Sequence, residues 1–517
     1  MNINTATGRA LGRGIYLLVT ICLTGSLAHG ADADAAGTSR PNIIWIVGDD
    51  HGWNHSVPYG DTCVKTPNMT RLAQDGMRFT SAFAASPLCT PSRAVMGTGL
   101  YPYRNGGHVF SVSVSDHVRT LPEYFHDLGY KVVLSGKNHF MWSGRSRFYQ
   151  YFKAVEDGAT FLKTYDWQKP LVLLVCSHHP HVPWPTESRY SPAGMPLPPR
   201  MIDTPEMRKD MTRYYEEVSL LDDQIGQVLD ELQKAGKEEQ TLVLYTSDQG
   251  PQLPFGKWCM YDLGLRTPLL ARWPGHIKPG TVTDAMVSLV DLLPTSMEVA
   301  GATPPKEMDG RSFLTVLTGD ASEHREAVYA EHSGNLSRDE INTNLSPMRS
   351  VRTKDYLYIC NLAPNRTFTT FINTWPGGYQ SLWSPVALPA PDGNKRSQSM
   401  CIREYWSSWV GKAQTDPVAK KTVEAYLHRP HEELYEVKSD LEQSRNLAGD
   451  PKHAEVLERM RALLAEWRKQ QGDSVPLCLE PEPEKFIDRV EQWRVQLGLD
   501  PELIQKKLTN LPKPKKT

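Results

Sequence analysis

Two carboxylates in succession end an apolar run at Gly48-Asp49-Asp50-His51, and Thr246-Ser247-Asp248-Gln249-Gly250 closes a later run with a carboxylate and a carboxamide. Adjacent carboxylates repel each other unless a cation or hydrogen-bond donors hold them, and a hard divalent metal with oxygen ligands would do so. An Asp pair capping a following helix is the alternative for the first cluster taken alone. Lys137 and His139 follow a third run in Ser135-Gly136-Lys137-Asn138-His139, and His178, His179 and His181 follow a fourth in Ser177-His178-His179-Pro180-His181-Val182-Pro183. Lysine and histidine in such company suit the binding of an anion and the movement of protons. Lys257, in Phe255-Gly256-Lys257-Trp258, adds a second fixed positive charge. Each of these also has a plainer reading, a satisfied structural histidine or a solvated lysine. Their shared position after apolar runs is what sets them apart.

Those runs are short and β-branched or apolar: Asn42 to Val47, Lys131 to Leu134, Leu171 to Cys176 and Thr241 to Tyr245. Helical patterns lie between them, the longest from Arg208 to Ala235. There Met211, Tyr215, Val218, Leu221, Ile225, Val228 and Leu232 recur at three or four residues, and Gly236 supplies a stop. Continuous strands alternating with amphipathic helices predict an α/β fold, a mostly parallel central sheet sandwiched by helices. Such a sheet puts its chemistry at the carboxyl ends of its strands, where these polar residues fall. The texture changes after residue 345. Arg349 to Cys360 alternates as a strand, and a Pro/Gly/Ser/Trp-rich stretch runs from about 374 to 397. Glu432-Glu433-Leu434-Tyr435 precedes an amphipathic helix from His453 to Gln470. The spacing predicts a catalytic domain over 40–345, a smaller C-terminal α+β domain over 346–475, and an extension over 476–517 with one helix from Lys485 to Leu497 and a lysine-rich end.

The chain has 517 residues, 40% of them hydrophobic, and a net charge of -2, which suggests neither nucleic-acid binding nor membrane burial. Residues 1–30 read as a signal peptide: Arg9 and Arg13 precede an apolar run from Ile15 to Leu27, then small residues at Ala28-His29-Gly30. That predicts export, periplasmic or secreted in a bacterium, with no stable membrane insertion. Eight cysteines without a C-x-x-C pair argue against zinc. Once Cys22 and Cys89 are set aside, the other six permit disulfides without requiring them.

Cys89-Thr90-Pro91-Ser92-Arg93 matches the C-x-P-x-R signature of the sulfatases. The chain resembles that family from Pro41 to about Asp473, and within it the N-sulfoglucosamine sulfohydrolase group. The likeness is carried by Asn105-Gly106 followed by His108, Val118-Arg119-Thr120-Leu121-Pro122, Gly136-Lys137-x-His139, Ser247-Asp248-x-Gly250, and the run His431 to Val437 that leads through Asp440 and Leu441 to Ser444-Arg445-Asn446-Leu447-Ala448. The resemblance implies an alkaline-phosphatase-like fold and a formylglycine made from Cys89 by a maturation enzyme, its hydrated aldehyde serving as nucleophile. It implies one calcium ion held by Asp49, Asp50, Asp248, Gln249 and the modified Cys89, with Arg93 steadying the nucleophile. Lys137, Lys257, His181 and His108 would contact substrate, His181 would act as acid and His139 as base. The family more often has Asn or His where this chain has Gln249. The implied substrate is a sulfated carbohydrate, bearing a sulfate ester or sulfamate, in the breakdown of a heparan-like glycosaminoglycan. An O-sulfatase of other specificity, a phosphonate or phosphodiester hydrolase, and a sulfated-glycan-binding protein with Cys89 unmodified are the alternatives. His51, His178 and His179 receive no role.

Overall fold

The computed structural model describes residues 40–110, 112–140, 150–198, 200–334, 346–368, 370, 372–373 and 405–477. The expected leader, the stretch 374–397 and the expected helix Lys485 to Leu497 lie outside the described residues. The first sheet has nine strands, β1 (Asn42–Gly48), β2 (Met77–Phe83), β3 (Lys131–Gly136), β4 (Gln150–Phe152), β5 (Leu171–Cys176), β6 (Thr241–Ser247), β7 (Arg266–Arg272), β8 (Thr281–Thr283) and β9 (Val287–Ser288). Their order is β4-β3-β5-β1-β6-β7-β2-β8, with β9 beside β2. Only β7 runs against its neighbours, β6 and β2.

β1 lies between β5 and β6, with Ile43 opposite Val172 on one side and Leu242 on the other. A strand so placed is covered on both faces, which is why its sequence is apolar without interruption. Successive side chains divide between two cores: Ile43, Trp45 and Val47 enter one, and Ile44 and Ile46 the other. Each such side chain removed from water contributes about 1.5–3 kcal/mol.

The second of these cores is roofed by the helix Pro205–Lys234, whose Leu221, Ile225, Val228, Leu229 and Leu232 face the sheet. It begins a turn earlier than the apolar period shows, because Thr204 accepts the Met207 N–H and Pro205 occupies the first turn. At its other end Gly236 takes φ 64°, the left-handed stop that the sequence supplies.

A second, antiparallel sheet joins β10 (Ala327–His332), β11 (Met348–Thr353), β12 (Tyr356–Asn361) and β13 (Glu432–Glu436) in that order. The helix Ala454–Gln471 covers it, so the smaller α+β unit exists, and it draws its first strand from residues before 346. The single strand expected from Arg349 to Cys360 is instead a hairpin. Two residues, Lys354 and Asp355, make the turn, and the Tyr356 N–H donates to Thr353 Oγ1 at 3.1 Å. Paired residues across a two-residue turn share a face, so the alternation slips by one there: Val351 and Tyr358 enter one core, and Met348, Leu357 and Ile359 the other. Among the described residues the cysteines, Cys63, Cys89, Cys176, Cys259 and Cys360, are free thiols. No helix among these residues is long and apolar enough to cross a membrane.

The second sheet is tied to its covering helix by buried charge. Arg349 Nε meets Asp473 Oδ2 at 2.7 Å with both side chains fully buried, and Arg468 Nε reaches the same oxygen at 2.7 Å. Glu331 on β10 donates its N–H to the Ala85 carbonyl at 3.0 Å, directly upstream of Cys89. Its carboxyl is buried, and neither oxygen has a hydrogen-bond partner. Burial, against the opposing pull of Arg349, pushes the Glu331 carboxyl up to about 8, so it folds as the neutral acid. An acid whose folded pKa lies above its unfolded one binds its proton more tightly when folded. Stability therefore falls as pH rises from its unfolded value, 4.5, towards 8. Glu331→Gln should remove a slope of about 1.4 kcal/mol per pH unit across that window, read by urea unfolding at a series of pH values. Parallel pH profiles for the variant and the parent chain would contradict this.

Candidate active site

Four neighbouring strands deliver the polar residues to one edge of the first sheet. Asp49 and Asp50 leave the end of β1, Asp248 and Gln249 the end of β6, Lys137 and His139 the end of β3, and His178 to His181 the end of β5. The helix Cys89–Thr98 brings the cysteine at its first turn, and all ten of its residues are buried. Cys89 is 1% exposed, while His139 and His181 are half-buried and give the cluster its open side.

Arg93 is the strut of this arrangement. Its Nε donates to Asp248 Oδ2 at 2.8 Å, one Nη donates to the Gly48 carbonyl at 3.3 Å, and Asp49 Oδ1 lies 3.9 Å away. Asp248 Oδ1 in turn accepts the Asp50 N–H at 3.2 Å, so the ends of β1 and β6 are stitched by one carboxylate and one guanidinium. Ser92 Oγ donates to the Asp248 carbonyl at 2.5 Å. Lys137 pairs with Asp49, and Lys257 Nζ sits 2.9 Å from Asp50 Oδ2. The Gln249 carboxamide donates to Asp50 and, at 3.3 Å, to Cys89 Sγ.

The electrostatics follow from packing three carboxylates and three cations without water. Burial opposes ionisation of Asp49, but Lys137, with His181, Arg93 and Lys257 behind it, holds that carboxyl well below its ordinary value. For Asp50 and Asp248 burial wins and pushes the carboxyl up, against Lys257 in one case and Arg93 in the other. Burial alone would raise the Cys89 thiol, yet Lys137 and Lys257 draw it down to about 5. His139 is driven to about 2 by burial and then by Lys137, so it stands neutral.

Asp49, Asp50 and Asp248 each offer an oxygen within 4.8 Å of the others, and Asp49, Cys89 and His181 form an overlapping group of the same span. Asp49 Oδ1 and Gln249 Oε1 are buried without a hydrogen-bond partner. Orphaned oxygens beside carboxylates resisting ionisation are what a hard cation would satisfy, so this donor set fits calcium. Gln249 presents its nitrogen to Asp50, and an amide rotated by half a turn would present Oε1 there instead.

His181 Nδ1 faces the Val182 carbonyl, an acceptor only, so Nδ1 carries the hydrogen. Nε2 is left towards Cys89 and lies 3.8 Å from Asp50 Oδ2. His179 turns away to pair with Glu217, while its carbonyl accepts the Asp49 N–H at 3.0 Å. His178 is exposed. His108 is buried beside Tyr103, ring centroids 5.2 Å apart, and Phe110 of the same loop lies 6.1 Å from the His139 ring.

His51 is buried away from reaction chemistry, between the Tyr245 hydroxyl at 2.6 Å and the His55 carbonyl at 3.0 Å. Burial holds it and His55 neutral, at about 4 and about 3. Asp50 itself has φ 70°, a left-handed backbone that costs a carboxylate residue on the order of 1–3 kcal/mol. Sequence reasoning passed over Tyr214 and His55, which brace this turn, and Glu217, which holds His179; they come from a distant helix and a loop and carry no local motif.

If the cluster is a cation site, calcium at a hundred times its dissociation constant should stabilise the chain by about 2.7 kcal/mol, and a chelator should reverse the gain. Identical melting with calcium and with EDTA would exclude it.

A family model described as Sulfatase matches residues 41–302, and one described as N-sulphoglucosamine sulphohydrolase, C-terminal, matches 251–371. An ulvan-active sulfatase of Formosa agariphila is 29% identical over 462 residues, covering 86% of this chain and 82% of that protein. Human N-sulphoglucosamine sulphohydrolase is 28% identical over 495 residues, covering 84% and 91%. A protein solved in complex with its substrate D-glucosamine-2-N,6-O-disulfate superposes with a TM-score of 0.61 at 22% identity, over 86% of this chain and 100% of that one, which is a likeness of fold.

Proposed function

The chain belongs to the sulfatase family, and on that premise we propose that it hydrolyses a sulfate ester or sulfamate on a carbohydrate, with residue 89 as the origin of the nucleophile. One observation carries the reading: the thiol of Cys89 lies in the same small volume as Asp49, His181 and the carboxylates of Asp50 and Asp248, with Arg93, Lys137 and Lys257 paired around it. The sulfur stands where an oxygen of the hydrated aldehyde would sit. Oxidised to formylglycine, residue 89 would supply that oxygen nucleophile and, unlike a serine, could release sulfate by restoring its aldehyde. A calcium ion held by Asp49, Asp50, Asp248, Gln249 and residue 89 would supply positive charge facing the sulfuryl oxygens.

The remaining work belongs to the side chains. Before a cation enters, the carboxylates and the basic groups balance in number. With one bound, Lys137 and Lys257 become surplus positive charge for an incoming anion, already fixed in place and already stripped of water. Arg93, locked to Asp248 and Gly48, keeps the first turn of its helix, and so residue 89, from moving. His181, with its Nδ1–H committed to Val182, can as the imidazolium hand the proton on Nε2 to the departing oxygen or nitrogen. His139 enters neutral and accepts a proton at the step that expels sulfate. An anion arriving beside it raises a basicity that burial, and then Lys137, otherwise suppress.

Both long matches are to proteins named for sulfated sugars, and the C-terminal family model supports an N-sulfated glucosamine of a heparan-like glycan. The expected leader at residues 1–30 supports export. A cytoplasmic or co-exported maturation enzyme is the partner that the modification requires.

Two measurements test this reading together. Mass spectrometry of the peptide carrying residue 89 should show aldehyde in place of thiol. Cys89→Ser should lose multiple turnover on a panel of N- and O-sulfated mono- and disaccharides from which the parent chain releases sulfate. An unmodified cysteine in active enzyme, or faster turnover of an aryl phosphodiester than of any sulfated sugar, would refute it.

A further inference from the structure

Asp50 is held in the left-handed region although its side chain is not glycine, and the groups that hold it there come mostly from outside its own turn. Its N–H is taken by Asp248 Oδ1, and the next N–H, of His51, donates to Ser247 Oγ at 2.9 Å. On the far side stands the hydroxyl of Tyr214, from the helix Pro205–Lys234. It accepts the Gly52 N–H at 2.9 Å, meets His55 Nδ1 at 3.1 Å and lies 3.5 Å from the Asp50 carbonyl.

The direction of these hydrogen bonds can be worked out from what each atom is able to do. His55 Nε2 is buried without a partner. A buried lone pair left alone is tolerated better than a buried N–H left alone, so His55 carries its hydrogen on Nδ1 and donates to Tyr214. With both acceptor positions of the hydroxyl then filled, by Gly52 and His55, its single hydrogen is left for the Asp50 carbonyl. The His51 ring is fixed in the same way. Nε2 faces the His55 carbonyl and must be the donor, so Tyr245 donates to Nδ1.

We propose that Tyr214 is a positioning residue for calcium: its hydroxyl, saturated by Gly52, His55 and Asp50, fixes the left-handed turn that aims the Asp50 carboxylate into the cluster. The assignment rests on reading Asp49, Asp50 and Asp248 as a calcium site. Gly52 belongs to the same device, because a Cβ there would stand 2.3 Å from His55 Nδ1 and drive the ring off the hydroxyl. Tyr214→Phe removes only the hydroxyl, since the ring stays packed on Trp184 and Tyr215 at 5.6 and 6.0 Å between centroids.

The test is calorimetric titration of the purified full chain with calcium chloride alone, alongside melting in EDTA. Tyr214→Phe should weaken calcium binding roughly ten- to a hundredfold, the range expected when a partner behind a metal ligand is lost, beside a modest drop of melting temperature in EDTA because the buried Gly52 N–H loses its acceptor. Tyr245→Phe, whose hydroxyl reaches a ring and not this backbone, should weaken it much less. Gly52→Ala should act in the direction of Tyr214→Phe by an independent route. Parental calcium affinity in Tyr214→Phe overturns the assignment, and so does an equal loss in Tyr245→Phe, which would mark the pocket as packing only. A parent chain that binds no calcium removes the metal site itself and the assignment with it.

Discussion

Three carboxylates brought together without water repel one another, and the architecture around Cys89 can be understood as the means of tolerating that repulsion. Asp49, Asp50 and Asp248 are each fully buried. Each is met by its own basic partner, Lys137, Lys257 and Arg93 respectively, and the three partners come from three different segments of the chain. A buried charge of this kind persists only where its counter-charge is also fixed, since losing one partner of a buried pair costs several kcal/mol, on the order of 3–5. The site is therefore rigid for the same reason that it is charged.

The sheet supplies that rigidity. β1, β5 and β6 are paired residue for residue, and their ends cannot move apart without breaking ladders whose side chains fill both cores. Four strand ends reach one edge, each contributing residues that would be unremarkable alone. Only the topology makes a lysine after β3 and an aspartate after β1 into a pair. The second sheet closes on the loop before Cys89 through Glu331 and Ala85, so the smaller unit bears on the segment that carries the cysteine.

How far the sequence reveals this depends on the range of each interaction. β1, β3, β5 and β6 are legible because a strand covered on both faces must be apolar throughout. β2 and β7 are not: β2 mixes Arg78, Thr80 and Ser81 with its apolar residues, and β7 carries Pro268 between terminal arginines. The hairpin of β11 and β12 is hidden because its two turn residues, Lys354 and Asp355, include no Gly or Asn to mark a reversal. Residues that end strands could be singled out by chemical type alone, but those that brace them could not. Tyr215 falls on the apolar stripe of its helix and Tyr214 falls beside it, yet Tyr214 is as deeply buried, and its hydroxyl reaches the β1 turn across 164 positions of chain. Nothing local records a contact of that length.

The helix that begins at Cys89 is enclosed along its whole length. Once the sheet and the second unit have closed over it, no other protein could thread a reactive centre to that thiol without undoing the core. On the proposed reading, conversion of the cysteine to an aldehyde would then have to take place on a nascent or still extended polypeptide. The pace of folding would become a deadline, and a molecule that folds too promptly would be well formed yet permanently inert.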